Sequence, residues 1–185
     1  MTLDLHRWRS RFRAMVLVPL AAGLLSACSS PSIDRYAGTQ PTLDLRTYFN
    51  GKLRAHGLFQ DRSGEVIKRF VVEMDGQWNG DEGVLDEHFT YADGTKDRRV
   101  WRLKYLGNGR YTGTADDVVG EASGQTQGHA FRWQYTLNLP VDGTTYEVQF
   151  DDWMYLIDDH TMLNHAKMSK WGIHLGEVIL SFSKP

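Results

Sequence analysis

The chain has 185 residues, with 21 Lys and Arg against 23 Asp and Glu, and a formal charge of −2. That length suits one domain around one core, and scattered charge without a basic stripe argues against a nucleic-acid partner. A single cysteine, Cys28, excludes a disulfide framework, a CxxC redox site and a cysteine-ligated zinc centre.

Arg7, Arg9, Arg11 and Arg13 precede an apolar run from Ala14 to Leu25. This is the charged and apolar order of a secretory signal, and the run is shorter than the roughly 20 residues a membrane-spanning helix needs. Leu25-Ser26-Ala27-Cys28 resembles the lipobox of bacterial lipoproteins, which implies cleavage after residue 27 and acylation of Cys28. Residues 1–27 are therefore expected to be a signal peptide, with Cys28 the lipidation site. Two or more acyl chains give stable membrane anchoring. Ser29 in place of Asp implies the outer membrane, with the domain facing the periplasm. Without residues 1–27, which hold four Arg and one Asp, the chain has 17 basic and 22 acidic residues and a charge of about −5.

Residues 28–42 (CSSPSIDRYAGTQPT) are rich in Ser, Pro and Gly and read as a flexible tether. Residues 43–185 then form the folded domain, with Leu43, Leu45 and Phe49 as its first apolar anchors. From Gly51 onward, strand patterns and turns alternate. Leu53, Ala55, Gly57 and Phe59 share one parity, and Asp61-Arg62-Ser63-Gly64 turns. Val66, Phe70, Val72 and Met74 follow, before a glycine-rich 75–83 loop. Leu85, Glu87, Phe89 and Tyr91 alternate with Asp86, His88 and Thr90, and Asp93-Gly94 signals a hairpin.

Arg99, Trp101, Leu103 and Tyr105 oppose Val100, Arg102 and Lys104. A turn at Gly107-Asn108-Gly109 leads to 110–115, and 116–128 reads as irregular. Phe131, Trp133, Tyr135, Leu137 and Leu139 alternate with Arg132, Gln134, Thr136 and Asn138. After the turn at Pro140-Val141-Asp142-Gly143, the ladder resumes at Tyr146, Val148 and Phe150 and extends through 153–157. Periodicity does not separate strand from helix over 163–168, and 173–182 reads as the last strand.

Short strands at hairpin spacing with almost no helical period predict an all-β fold. Sequential hairpins favour an antiparallel up-and-down barrel of about eight to ten strands, lipocalin- or calycin-like, over a Greek-key sandwich. Closure also removes exposed sheet edges.

Several spaced segments are similar to an uncharacterised family of bacterial lipoproteins, domain of unknown function 3833. They include Tyr48-Phe49-Asn50-Gly51, Ala55-His56-Gly57-Leu58-Phe59-Gln60-Asp61-Arg62-Ser63-Gly64, Ala115-Asp116-Asp117-Val118-Val119-Gly120, Trp133-Gln134-Tyr135 and Asp151-Asp152-Trp153-Met154. The resemblance implies a lipidated, lipocalin-like exported domain and brings no established activity. Gly128-His129-Ala130 departs from the expected pattern, which has Asn at the middle position.

Candidate site residues follow from parity. Adjacent carboxylates at Asp116 and Asp117 point to opposite strand faces, so at most one acts, and a turn cap is the plainer role. Asp152 shares the parity of Val148 and Phe150 and points inward, where it needs a cation or several donors; Arg132 or Arg99 would supply the cation. A bulge at 151–154 is the alternative. Trp101, Arg132, Trp133, Tyr135, Asp152 and Trp153 are the expected ligand-binding residues of a hollow barrel, which at eight strands leaves room for one small ligand.

Asp158-Asp159-His160 with Asn164 and His165 contains metal-ligand types. Three consecutive residues at a turn do not converge on one ion, so neither a metal nor a cofactor is expected. No GxSxG, HExxH, phosphate-loop or GxGxxG motif is present, so a non-catalytic role is expected. The reading is a protein that binds or carries an amphipathic lipid, such as a fatty acid or phospholipid derivative. A filled structural barrel is the alternative. An enzyme acting on modified lipids is the third reading, with Asp116, Asp152 or His165 as acid or base.

Overall fold

The computed structural model describes residues 31–141 and 143–185. The expected signal peptide, Cys28 and the start of the expected tether lie outside the described residues. Residues 33–185 form one compact unit built from ten strands: β1 Gly51–Asp61, β2 Val66–Asn79, β3 Glu82–Tyr91, β4 Lys96–Tyr105, β5 Arg110–Thr114, β6 Ala122–Gln127, β7 Ala130–Val141, β8 Thr144–Leu156, β9 Thr161–Lys170 and β10 Ile173–Ser183. Each strand pairs antiparallel with its sequence neighbour, and β10 pairs with β1 to close the barrel. The all-β, up-and-down fold read from hairpin spacing is the observed one, and 163–168 is strand.

Alternation decides which side chains face in. Leu53, Ala55, Val72, Met74, Leu85, Trp101, Leu103, Phe131, Trp133, Leu137, Val148, Phe150 and Phe182 are all buried. The outer wall carries cross-strand ion pairs, Arg54 with Glu73, Arg98 with Asp86 and Arg132 with Asp151. A barrel that crosses a bilayer instead presents an apolar band outward.

One end is plugged. Asp44 caps the single helical turn α1, Leu45–Tyr48, by accepting from Arg46 N at 2.9 Å. The Tyr111 hydroxyl locks this turn, donating to Asp44 Oδ1 at 3.1 Å and accepting from Leu45 N at 3.3 Å. Leu43, Leu45, Tyr48 and Phe49 are all at most 4% exposed, so they stopper the barrel.

Three boundaries differ from the alternation reading. β2 runs through the expected 75–83 loop, because Gly76 is where the plug backbone crosses the sheet: a Cβ there would lie 1.8 Å from Phe49 O. β6 lies within the expected irregular 116–128 segment. It lacks bulky residues because a Cβ at Gly124 would meet Arg132 O at 2.2 Å and the Trp133 ring at 2.7 Å. Finally, part of the expected tether is packed. Ile33–Tyr36 forms a 3-10 turn, and the Tyr36 ring sits 5.9 Å from Trp153 and 5.3 Å from His129.

Candidate ligand-binding site

Because β5 and β6 are only five and six residues long, the wall between the far halves of β4 and β7 has no strand of its own. The 115–121 connection covers it, tied down by Val119 N to Thr136 O and Asn138 N to Asp117 O. This patch carries Asp117 to the inward-facing Arg99, whose Nη2 donates to Asp117 Oδ2 at 2.7 Å.

Inside the barrel is a cavity of about 630 Å³, within the size range of small-molecule sites. It extends from Leu45 and Phe49 at the plug to Lys68, Tyr91, Pro140 and Val141 near the opposite hairpins. Plug-end side chains are buried, whereas Phe59, Phe70, Phe89, Leu139, Val178 and Leu180 face inward yet are only partly buried.

The two sides of the cup differ in chemistry. β1 and β10 contribute only apolar groups, among them Phe59, Val178, Leu180 and Phe182. A polar stripe runs around the remaining wall: Glu87 on β3, Arg99 on β4, Tyr135 on β7, Asp152 on β8 and Asn164 on β9, the last directly beside Leu180 of β10. Asp152 Oδ1 accepts from Asn164 Nδ2, and Asp152 Oδ2 accepts from the Tyr135 hydroxyl at 3.3 Å. Burial pushes the Asp152 carboxyl up to about 7 despite these two donors. Burial also pushes Glu87 up to about 7, with Arg99 opposing and Asp117 reinforcing the rise. Burial works against the Arg99 charge, but Asp117 and Glu87 outweigh it and raise its pKa.

Of the residues expected to bind ligand, Trp101, Trp133, Tyr135 and Asp152 line the cup. Tyr135 stacks on Phe150 at 4.9 Å and meets Trp101 edge-on at 5.5 Å. Arg132 and Trp153 do not line it. They occupy the outward register, where Arg132 Nε donates to Asp151 Oδ1 at 2.6 Å and its guanidinium lies 5.2 Å from the Trp153 ring. Trp153 is buried because Tyr36 covers it from outside. The expected Asp152–arginine pair is therefore absent: Asn164 and Tyr135 serve Asp152, and Arg99 serves Asp117. No bulge interrupts β8, whose pairing with β7 and β9 is continuous.

The acid/base candidates separate in the same way. Asp116 is fully solvent-exposed, 3.8 Å from Arg102. His165 faces outward and pairs with Glu177 at 2.7 Å. Only Asp152 is in the cup. Glu87 was passed over in the sequence, although it shares parity with Leu85 and Phe89 and so carried the same signal as Asp152. No group of three or more His, Cys, Asp or Glu suited to a metal occurs among the described residues; Asp158 instead caps its turn, accepting from His160 N and Thr161 N.

A family model described as a protein of unknown function (DUF3833) matches residues 22–184. No curated protein matches the sequence. Among solved structures, a de novo designed fluorescence-activating β-barrel aligns with 77% of this chain and 99% of its own, at 15% identity and a TM-score of 0.40.

Proposed function

The chain belongs to the DUF3833 family, and we propose that its barrel is a carrier cup for an amphipathic lipid, held at the outer membrane by acylation of Cys28. The supporting observation is the cavity of about 630 Å³ with one apolar side and one polar side. An acyl or alkyl chain lies against β1, β2 and β10, where each Å² of apolar surface removed from water contributes about 25 cal/mol. The polar end lies against the Glu87–Asp152–Asn164 stripe.

The mouth supports the same reading. Val141, Tyr146, Trp171 and Ile173 are exposed around the adjacent β7–β8 and β9–β10 hairpins, and Trp171 is 85% exposed at a φ of 52°. Lys170 Nζ lies 4.7 Å from the Tyr146 ring and 4.8 Å from that of Trp171. Trp, Tyr and Lys together suit a lipid headgroup region, so the lip would touch the bilayer while cargo passes.

A filled scaffold fits the open cavity poorly. For an enzyme, the two raised carboxyls are suggestive, but no serine, cysteine, threonine or histidine lines the cup among the described residues. The test is native mass spectrometry of the full chain extracted from bacterial membranes, with displacement of the apolar fluorophore N-phenylnaphthylamine. The proposal expects a co-purifying amphiphile or saturable probe binding that Val178→Trp abolishes. Clean apo spectra together with no probe binding would overturn it. Acylation is tested separately: Cys28→Ser should release the protein from membranes and end labelling by palmitate.

A further inference from the structure

Three buried side-chain atoms make no hydrogen bond among the described residues: Trp78 Nε1, Glu87 Oε2 and Asn164 Oδ1. Glu87 and Asn164 both line the cup. No donor reaches either of these two oxygens. Asn164 is 2% exposed, and its amide donates to Asp152 and to Trp153 O, leaving Oδ1 unmet. An unmet buried acceptor loses its hydration without compensation and is rare in a settled core.

The charges lean the same way. Glu87 and Asp152 share the depth of the cup with one cation, Arg99, which Asp117 reaches from the wall patch. That cation is already committed to Asp117 through Nε at 3.1 and 3.0 Å and Nη2 at 2.7 Å, and it lies 3.9 Å from Glu87 Oε2. The Tyr135 hydroxyl is spent on Asp152. The other cation lining the cup, Lys68, is at the mouth, 5.3 Å from the Tyr91 ring. β1 and β10 add no titratable group to the lining.

Resting on the carrier reading, we propose that the polar end of the cargo is a protonated amine on an alkyl chain, and not a carboxylate or phosphate. A carboxylate entering this stripe adds a negative charge to an acidic, low-dielectric wall whose one deep cation, Arg99, is already paired with Asp117. An ammonium brings three donors, enough for Glu87 Oε2, Asn164 Oδ1 and a remaining Asp152 lone pair, and it balances the excess negative charge. Amine binding would also pull the raised Glu87 and Asp152 carboxyls down, so the complex would release protons near neutral pH. This revises the fatty-acid expectation: the head group changes sign.

Calorimetric titration of the full chain in non-ionic detergent, with dodecylamine, dodecyltrimethylammonium and laurate, tests the idea. Dodecylamine should bind at least about tenfold tighter than laurate, the size of one charge-assisted hydrogen bond. Its binding enthalpy should vary with buffer ionisation enthalpy, reporting proton release. Dodecyltrimethylammonium, a cation without N–H donors, should fall between the two. Glu87→Gln combined with Asp152→Asn should erase the order while N-phenylnaphthylamine still binds. Laurate binding as tightly as the amine would overturn the head-group assignment and leave the cup intact. No binding of any dodecyl ligand or of the naphthylamine would overturn the cup itself.

Discussion

Asp152→Asn should stabilise the empty protein at alkaline pH and lose that advantage in acid. The Asp152 carboxyl is carried from 3.8 to about 7 by burial, so between those values the folded chain holds a proton that the unfolded chain has lost. Stability therefore falls as pH rises through that window, and the full penalty is present above about pH 8. Each pH unit of displacement corresponds to about 1.4 kcal/mol, which sets a ceiling of about 4 kcal/mol. Water reaching Asp152 through the mouth lowers the desolvation behind that figure, so about 2 kcal/mol is expected. Asn keeps an acceptor for Asn164 Nδ2 and removes the ionisation. For a domain of this size the gain at pH 8 is about 4–8 °C in Tm, shrinking to nothing or reversing near pH 4.5. Differential scanning calorimetry across about pH 4.5–8.5 reads this directly. A difference between the two proteins that does not change with pH, or a variant less stable at pH 8, would refute the assignment of Asp152 as a buried, desolvated acid.

Gly76→Ala forces a methyl group into Phe49 O; chemical denaturation should show a loss of about 3 kcal/mol or more, and a change below 1 kcal/mol would mean that the plug does not seat there. Tyr111→Phe keeps the ring but leaves Leu45 N and Asp44 without the hydroxyl, so urea unfolding should show a cost of about 1–3 kcal/mol. Trp171→Ser should leave stability within about 0.5 kcal/mol, as for other exposed positions, while slowing loading of the naphthylamine probe from anionic vesicles several-fold. Equal loading rates would remove the lip from the carrier reading.

The alternation of large side chains made the fold legible. Leu53 through Phe59, Trp101 through Tyr105 and Phe131 through Leu139 each declare period two without ambiguity. The same rule located Asp152 inside, and applied evenly it would have located Glu87 inside and Arg132 and Trp153 outside. For Arg132 and Trp153 the chemistry argued against their own parity, and the structure follows the parity, whereas His165 lies in a stretch whose periodicity does not separate strand from helix. Other features were not legible locally. Gly76 looks like loop punctuation until the plug backbone is known to cross it. β6 carries too few apolar side chains to announce a strand, because Gly124 must admit the Trp133 ring. Tyr36 gives no periodic signal, and only its contact with Trp153 shows that the chain is already packed there.

The polar stripe is better explained by what it costs. Exchanging buried ionic groups for well-packed apolar ones is often neutral or stabilising, and Leu or Met at positions 87 and 152 would suit a wall that already holds Leu85, Met154 and Met168. The fold's own needs account for only part of the stripe. The gap beside short β5 and β6 explains Asp117 with Arg99, since the 115–121 patch needs an anchor inside the wall. It does not explain Glu87, which stands 3.9 Å from that pair with an unmet oxygen, nor Asp152, which is served by neutral donors at the expense of its normal ionisation. Places where a chain departs from its own local rules at a stability cost are where function is expected. Here the two departures face the same cavity, and Glu87 Oε2 and the Asn164 Oδ1 beside Asp152 both lack a hydrogen-bond donor, which a cargo molecule would supply.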